Sequence, residues 1–290
     1  MPFFGASDGT RLFYAEAGRA DGRTFVFAHA WAFNSGMWHY QIPELLAAGM
    51  RCVVFDRRGH GRSDVPGRGY GLDRLADDLA DLLDHLGLRE VVLVGHSLGA
   101  AEAVRYLSRH GDGRVAGVVL SAPTTPFLLR TDDNPDGPVE AADFAALQEV
   151  MRRDIGVFVE GTSHADYFGP AYEVSAGLGD WTRRQFFDTP LQVLLSTNEV
   201  VITADQREEL QKVRMPALVI QGDADRSAPI DLTGRRTHAL LPDARLVVFQ
   251  GAGHGLYMSD PGRYNAELLR FADTLPAEGD ARGEQVQPVS

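Results

Sequence analysis

The sequence predicts an α/β architecture: a mostly parallel, twisted sheet with helices on its faces and a helical segment inserted between two of its strands. Three observations carry this. Short apolar runs at residues 25–28, 52–56, 91–94, 115–120, 217–221 and 246–249 each have the length of a buried strand. Stretches with apolar residues at helical spacing lie between them, the clearest being Leu72, Leu75, Leu79, Leu82, Leu83 and Leu86. The alternation then stops from about residue 124 to 214, where helical patterns follow one another without a strand.

The elements follow in order. Asp8-Gly9 is a turn, and residues 12–16 read as the second arm of a hairpin. Phe25-Val26-Phe27-Ala28 is a buried strand, residues 37–48 a helix, residues 52–56 a strand and residues 72–86 a helix. The run Val91-Val92-Leu93-Val94 leads into a helical stretch over 100–107, and residues 115–120 form the next strand. Helices are expected at 141–153, 181–187, 191–196 and 204–213. Strands at 217–221 and 246–249 complete the sheet, and a helix at 264–275 closes the chain after Pro261. Residues 1–123 and 215–276 therefore read as one core, and 124–214 as a helical cap over its mouth. The polar stretch 277–290 reads as a disordered tail. Phe144, Phe158, Phe168, Trp181, Phe186 and Phe187 supply the bulk of the insertion. Most of them are expected to pack within it, and some to line a pocket.

A chain of 290 residues, 44% hydrophobic and 23% charged, has the size and composition of one large soluble domain. Its net charge of −12 argues against nucleic acid or an anionic membrane as partner. The single cysteine, Cys52, lies in a strand and reads as packing. The first residues lack a charged segment followed by a long apolar one, and no run of about 20 apolar residues occurs, so the expected location is cytoplasmic. No His–carboxylate pattern has metal-ligand spacing and no glycine pattern fits a dinucleotide or phosphate loop, so neither metal nor cofactor is expected.

The chemistry starts at Gly95-His96-Ser97-Leu98-Gly99. This G-x-S-x-G sits between a buried strand and a helix, the context in which a serine is raised on a strained turn above the sheet edge. Small residues at positions 95 and 99 relieve the crowding, and the following helix presents its positive end. A serine hydroxyl needs a base, and the base needs a carboxylate to orient it. Asp225 follows the strand at 217–221, and His254 follows the last strand, giving the chain order Ser, Asp, His. All three fall on loops at the C-terminal ends of strands. Asp223 is the competing acid, but its place beside Gly222 suggests a loop-structuring role. His96 should point away from Ser97 and pack, His60 should be structural, His29 should fasten its loop, and His164 reads as a surface residue.

With these residues in view, the chain resembles the α/β-hydrolases from the first hairpin to about residue 275. The resemblance covers His29-Ala30-Trp31, the loop from Asp56 to Ser63, the Ser97 elbow and both partner loops. Arg105-Tyr106, Tyr167-Phe168-Gly169 and Ala228-Pro229-Ile230-Asp231 make it similar to the non-haem haloperoxidase and aryl-esterase group. The resemblance implies that Ser97 attacks an acyl carbon, that His254 is its base, and that Asp225 orients His254. It also implies an oxyanion hole made by the backbone N–H groups of Trp31 and Leu98. Trp31, Phe168, Trp181 and Tyr257 are the candidate pocket residues. Two positions depart from the group's pattern: Ala30 where Gly is usual, and Ala32 where haloperoxidases carry Pro. The second departure favours water over peroxide as acyl acceptor.

The expected activity is thus hydrolysis of a small-molecule carboxylic ester or lactone through an acyl-enzyme. A C–C bond hydrolase, a thioesterase and a biosynthetic cyclase fit the same residues, and a slow-turnover sensor protein is the alternative from another class. Ser97 argues against epoxide hydrolases and haloalkane dehalogenases, which need a carboxylate at that position. A homo-oligomer stays open, because an exposed apolar stripe and cap core look alike in sequence.

Overall fold

A computed structural model describes residues 2–276. Strands β1 (Phe3–Gly5) and β2 (Arg11–Ala17) form the hairpin, pairing Phe3 with Phe13. β3 (Thr24–Ala28), β4 (Arg51–Phe55), β5 (Val91–His96), β6 (Val115–Ser121), β7 (Ala217–Gly222) and β8 (Ala244–Phe249) are mutually parallel. The eight strands run in the order β1-β2-β4-β3-β5-β6-β7-β8. β4 lies on one side of β3 and β5 on the other, so the direction of winding reverses there. A crevice opens at such a switch, beyond the carboxyl ends of the two strands.

Strand residues alternate between two apolar layers, as a pleated sheet covered on both faces requires. Val26, Val53, Leu93, Val118 and Val219 face helices α2 (Leu72–His85) and α3 (Leu98–His110). Phe25, Phe27, Val54, Val94 and Ile220 face α1 (Ile42–Ala47) and the closing helix α12 (Pro261–Thr274). Cys52 is buried in this second layer, where burial pushes its thiol up to about 12.

Between β6 and β7 stand α4 (Ala141–Arg153), α5 (Ile155–Glu160), α6 (His164–Phe168), α7 (Ala176–Asp188), α8 (Leu191–Thr203) and α9 (Arg207–Leu210). Past β7 come α10 (Gly234–Leu240) and α11 (Leu256–Ser259). No helix of the described residues is long and apolar enough to cross a membrane.

Several expectations need correction. Residues 37–48 are not one helix: a 3-10 turn at Ser35–Trp38 precedes α1, with Pro43 in the first turn of α1. Proline lacks the N–H a continuous helix would use and crowds the carbonyl four residues back. The helix expected at 204–213 shrinks to α9: Ala204 is extended, with ψ 110°, and past Leu210 the chain closes i→i−3 turns, Lys212 N–H to the Glu209 carbonyl at 3.0 Å and Val213 N–H to that of Leu210 at 3.3 Å. α7 starts five residues earlier than expected and α8 runs seven residues longer. α5, α6, α10 and α11 are additional. α5 is capped by Asp154, and α6 opens with a capping box of Ser163 and Asp166, local signals that define short helices without a long apolar period. The tail expectation for 277–290 lies outside the described residues.

Candidate active site

Ser97 occupies the turn between β5 and α3 with φ 56° and ψ −117°, a conformation that strains any side-chain-bearing residue. The surroundings hold it there. Its N–H donates to the Ser121 carbonyl at 2.9 Å, and its own carbonyl accepts from Ala100 at 2.9 Å. A Cβ on Gly95 would collide with the Gly99 carbonyl, and one on Gly99 with the Ala28 carbonyl. The strand, turn and helix can approach this closely only with glycine at both places.

Asp225 lies just past β7 and is buried. One carboxylate oxygen accepts from the Ser227 and Ala228 N–H groups, each at 2.9 Å. The other accepts from His254 Nδ1 at 2.8 Å. This bond puts the His254 proton on Nδ1 and leaves Nε2 as a lone-pair acceptor. His254 is fixed from the other side by the inserted segment. Gly253 N–H donates to the Phe168 carbonyl at 3.1 Å and Gly255 N–H to the Tyr167 carbonyl at 2.6 Å. Asp223 instead accepts the Gly251 N–H at 2.6 Å and so shapes the histidine loop.

Ser97 and His254 line one cavity of about 430 Å³. Its wall is mainly apolar and comes from both the sheet end and the insertion, including Trp31, Phe144, Phe158, Phe168 and Phe186. Of the expected pocket residues, Trp31 and Phe168 line it; Trp181 and Tyr257 do not. Trp181 packs half-buried against the second core layer. Tyr257 is fully buried behind the site, its hydroxyl 3.1 Å from that of Tyr167. Phe187, on the solvent side of α7, is 55% exposed.

The loop after β3 is pinned from beneath. His29 Nε2 accepts the Arg57 N–H at 2.9 Å, so the ring proton sits on Nδ1 and donates to the Ala30 carbonyl at 2.8 Å. Burial, with Arg57 and His60 beside it, pushes His29 well below the usual histidine range. The Arg57 guanidinium donates to the His29 carbonyl at 2.8 Å and pairs with Glu102, Nε to Oε2 at 2.9 Å. Arg57 and Glu102 are functional candidates that the sequence reading missed. The signal was available: Glu102 is a carboxylate among alanines on the helix that follows Ser97. Neither Trp31 N–H nor Leu98 N–H has a hydrogen-bond partner among the described residues. The Trp31 indole donates to the Leu194 carbonyl at 3.0 Å, tying the loop to α8. Ala32 is buried at φ 66°, and its carbonyl accepts from Thr189 Oγ1 at 3.1 Å.

Residues 23–261 match the family described as alpha/beta hydrolase fold. The chain belongs to that family. This α/β-hydrolase is 36% identical over 275 residues to a non-heme chloroperoxidase of Kitasatospora aureofaciens, covering 93% of this chain and 99% of the relative. It is 30% identical over 276 residues to a bifunctional esterase/perhydrolase of Acinetobacter calcoaceticus, covering 93% and 99%. An esterase structure from Exiguobacterium antarcticum superposes with a TM-score of 0.88 at 27% identity, covering 94% of this chain and 99% of that one. The chain is therefore an α/β-hydrolase enzyme of the haloperoxidase and esterase group.

Two further histidines of this α/β-hydrolase, His96 and His60, are structural in placement. His96 Nδ1 lies 2.9 Å from Ser121 Oγ, and its ring packs on Tyr257 and His254. His60 Nδ1–H donates to the Arg58 carbonyl at 2.9 Å, and burial lowers its pKa to about 3. Among the described residues, no three or more His, Cys, Asp or Glu gather as a metal site would require.

Proposed function

We propose that the protein is a cofactor-independent serine hydrolase that cleaves a carboxylic ester or lactone through an acyl-enzyme on Ser97. One observation carries the reading: a serine on a strained strand–helix turn shares an apolar cavity with a histidine whose Nδ1 is bonded to a buried aspartate. In this mechanism Ser97 Oγ attacks the carbonyl carbon while His254 Nε2 takes its proton. The negative charge that develops on the carbonyl oxygen is met by the Trp31 and Leu98 N–H groups, and such a donor is typically worth about 3–4 kcal/mol of barrier. His254 returns the proton to the departing alkoxide oxygen, and Asp225 stabilises the imidazolium throughout. A water then attacks the acyl-enzyme, its proton passing to His254, and the acid leaves as Ser97 regains its hydrogen.

Residues 124–214 serve as the cap in this reading, closing the apolar cavity over the substrate body. Water is the acyl acceptor. The backbone at Ala32 has φ 66°, which proline cannot adopt, so this loop is built differently from one carrying the proline usual in haloperoxidases.

The test is intact-mass analysis after treatment with a fluorophosphonate, with Ser97→Ala as control. The expected result is one adduct on the wild type and none on the variant, with ester turnover lost by roughly four orders of magnitude or more. No adduct on folded wild type, or near-normal turnover by Ser97→Ala, refutes the reading.

A further inference from the structure

We propose that Asn198 forms a polar subsite that binds a hydroxyl group on an otherwise apolar ester or lactone substrate; this rests on the ester-hydrolase reading above. Asn198 is on α8, only 5% exposed, and belongs to the wall of the cavity that Ser97 and His254 share. Its Oδ1 is enclosed by the protein without a hydrogen-bond partner among the described residues, whereas Nδ2 is not enclosed and is the edge of the amide that a ligand in the cavity can reach. A buried amide in that state is costly, and native proteins rarely leave one unpaired without a use for it.

The other buried polar groups of the wall contrast with it. Thr182 Oγ1 donates to the Leu178 carbonyl at 2.9 Å, and Thr124 Oγ1 to the Ser97 carbonyl at 3.4 Å. Ser163, also on the wall, is bonded to Asp166 in its capping box. Asn198 alone among these has a buried side-chain oxygen without a partner and an amide nitrogen left for a ligand. Its neighbours Val201 and Ile202 are apolar core residues, so packing of α8 would be served as well by leucine.

Its position suits recognition. Asn198 is one helical turn beyond Leu194, whose carbonyl holds the Trp31 indole. The amide thus lies on the same side of the cavity as the loop that supplies Trp31 N–H. A hydroxyl is a matching group because its oxygen accepts from Nδ2. A plain alkyl chain in the same place leaves the amide unpaired, and sites built around a hydrogen bond discriminate strongly against substrates that lack it.

The experiment compares matched pairs of esters differing by one hydroxyl, placed along the acyl chain in one set and along the alcohol in the other. kcat/KM is measured for wild type and Asn198→Leu. The expected wild type favours at least one hydroxylated ester over its parent by about 10-fold or more. Asn198→Leu abolishes that preference, keeps the parent ester within about threefold, and melts no lower than wild type because it removes an unpaired buried amide. Asn198→Ala serves for the same comparison if the leucine variant misfolds. The subsite is refuted if no hydroxylated ester is favoured, or if the preference survives substitution. Failure of the underlying reading looks different: no ester of either kind is cleaved and Ser97 takes no fluorophosphonate, and the subsite proposal then falls with it.

Discussion

Arg57 and Glu102 are each fully buried; their pairing ties the loop after β4 to the helix after Ser97, and Arg57 also holds the His29 carbonyl in the loop after β3. Two opposed effects act on the carboxyl. Burial pushes Glu102 up to about 6, while the guanidinium pulls it down. A buried pair of this kind adds little net stability compared with apolar residues of the same shape, but leaving one charge unpaired costs about 3–5 kcal/mol. Glu102→Ala should therefore lose about that much in urea denaturation, whereas Glu102→Gln keeps an acceptor for Arg57 and should lose less. A loss under about 1 kcal/mol for the alanine variant would mean that water or another group replaces the carboxylate. The candidate triad was legible because its residues carry local signatures: glycines around Ser97, and loops after strands for Asp225 and His254. Asn198 carries no such signature, and Glu102 only the weaker one of a carboxylate among alanines. Each reads in sequence as one polar position on a helix, and only the packing of α3 and α8 turns it inward.

The loop 29–32 and the helical insertion define what the elements contribute. Ala32 holds a left-handed backbone while buried, with its carbonyl bound by Thr189 at the end of α7. Proline at position 32 would have to swing φ to about −65°, and it would also restrict Trp31 before it. Ala32→Pro is therefore expected to destabilise by more than about 1 kcal/mol and to slow fluorophosphonate labelling of Ser97 by displacing the Trp31 N–H. Ala32→Gly, which takes positive φ freely, should stay within about 1 kcal/mol of wild type. Equal stability and labelling for the proline variant would show that the loop can relax into another form. Strands were legible to within a few residues because apolar runs bounded by turns mark them well, although β8 starts earlier than its apolar run. The insertion was legible as helical but not in its divisions. Its breaks are set by caps at Asp154, Ser163 and Ser175, which compete with periodicity over short spans.

At the scale of the whole molecule, the reversal of winding at β3 and β5 brings the loop after one strand and the nucleophile candidate after the other to the same crevice. The same convergence buries several histidines beneath the site. His29 and His60 lie with ring centres 5.2 Å apart, and His96 packs on His254 at 4.9 Å. His29, His60 and His96 are all held below the usual histidine range, chiefly by burial; Arg57 adds to it for the first two and His254 for the third. The sign follows from linkage. Below pH ~6.5 the unfolded chain binds protons on these rings and the folded protein does not, so acid favours unfolding. Each such ring contributes about 1.4 kcal/mol of destabilisation per pH unit below that point until its folded pKa is reached. Glu102 acts in the opposite sense, since its raised pKa lets the folded state hold a proton between about 4.5 and 6, but it is one group against three. Asp8, held low by Arg58, adds to the loss only at still lower pH. Urea midpoints measured from pH 7.5 to 5 should fall steadily below about 6.5. His60→Gln should make that fall shallower whatever it does to stability at neutral pH, so the slope rather than the midpoint is the quantity to compare. A midpoint that stays constant across the range would mean that these rings are protonated in the folded protein, and that their hydrogen bonds differ from those described for His29 and His60.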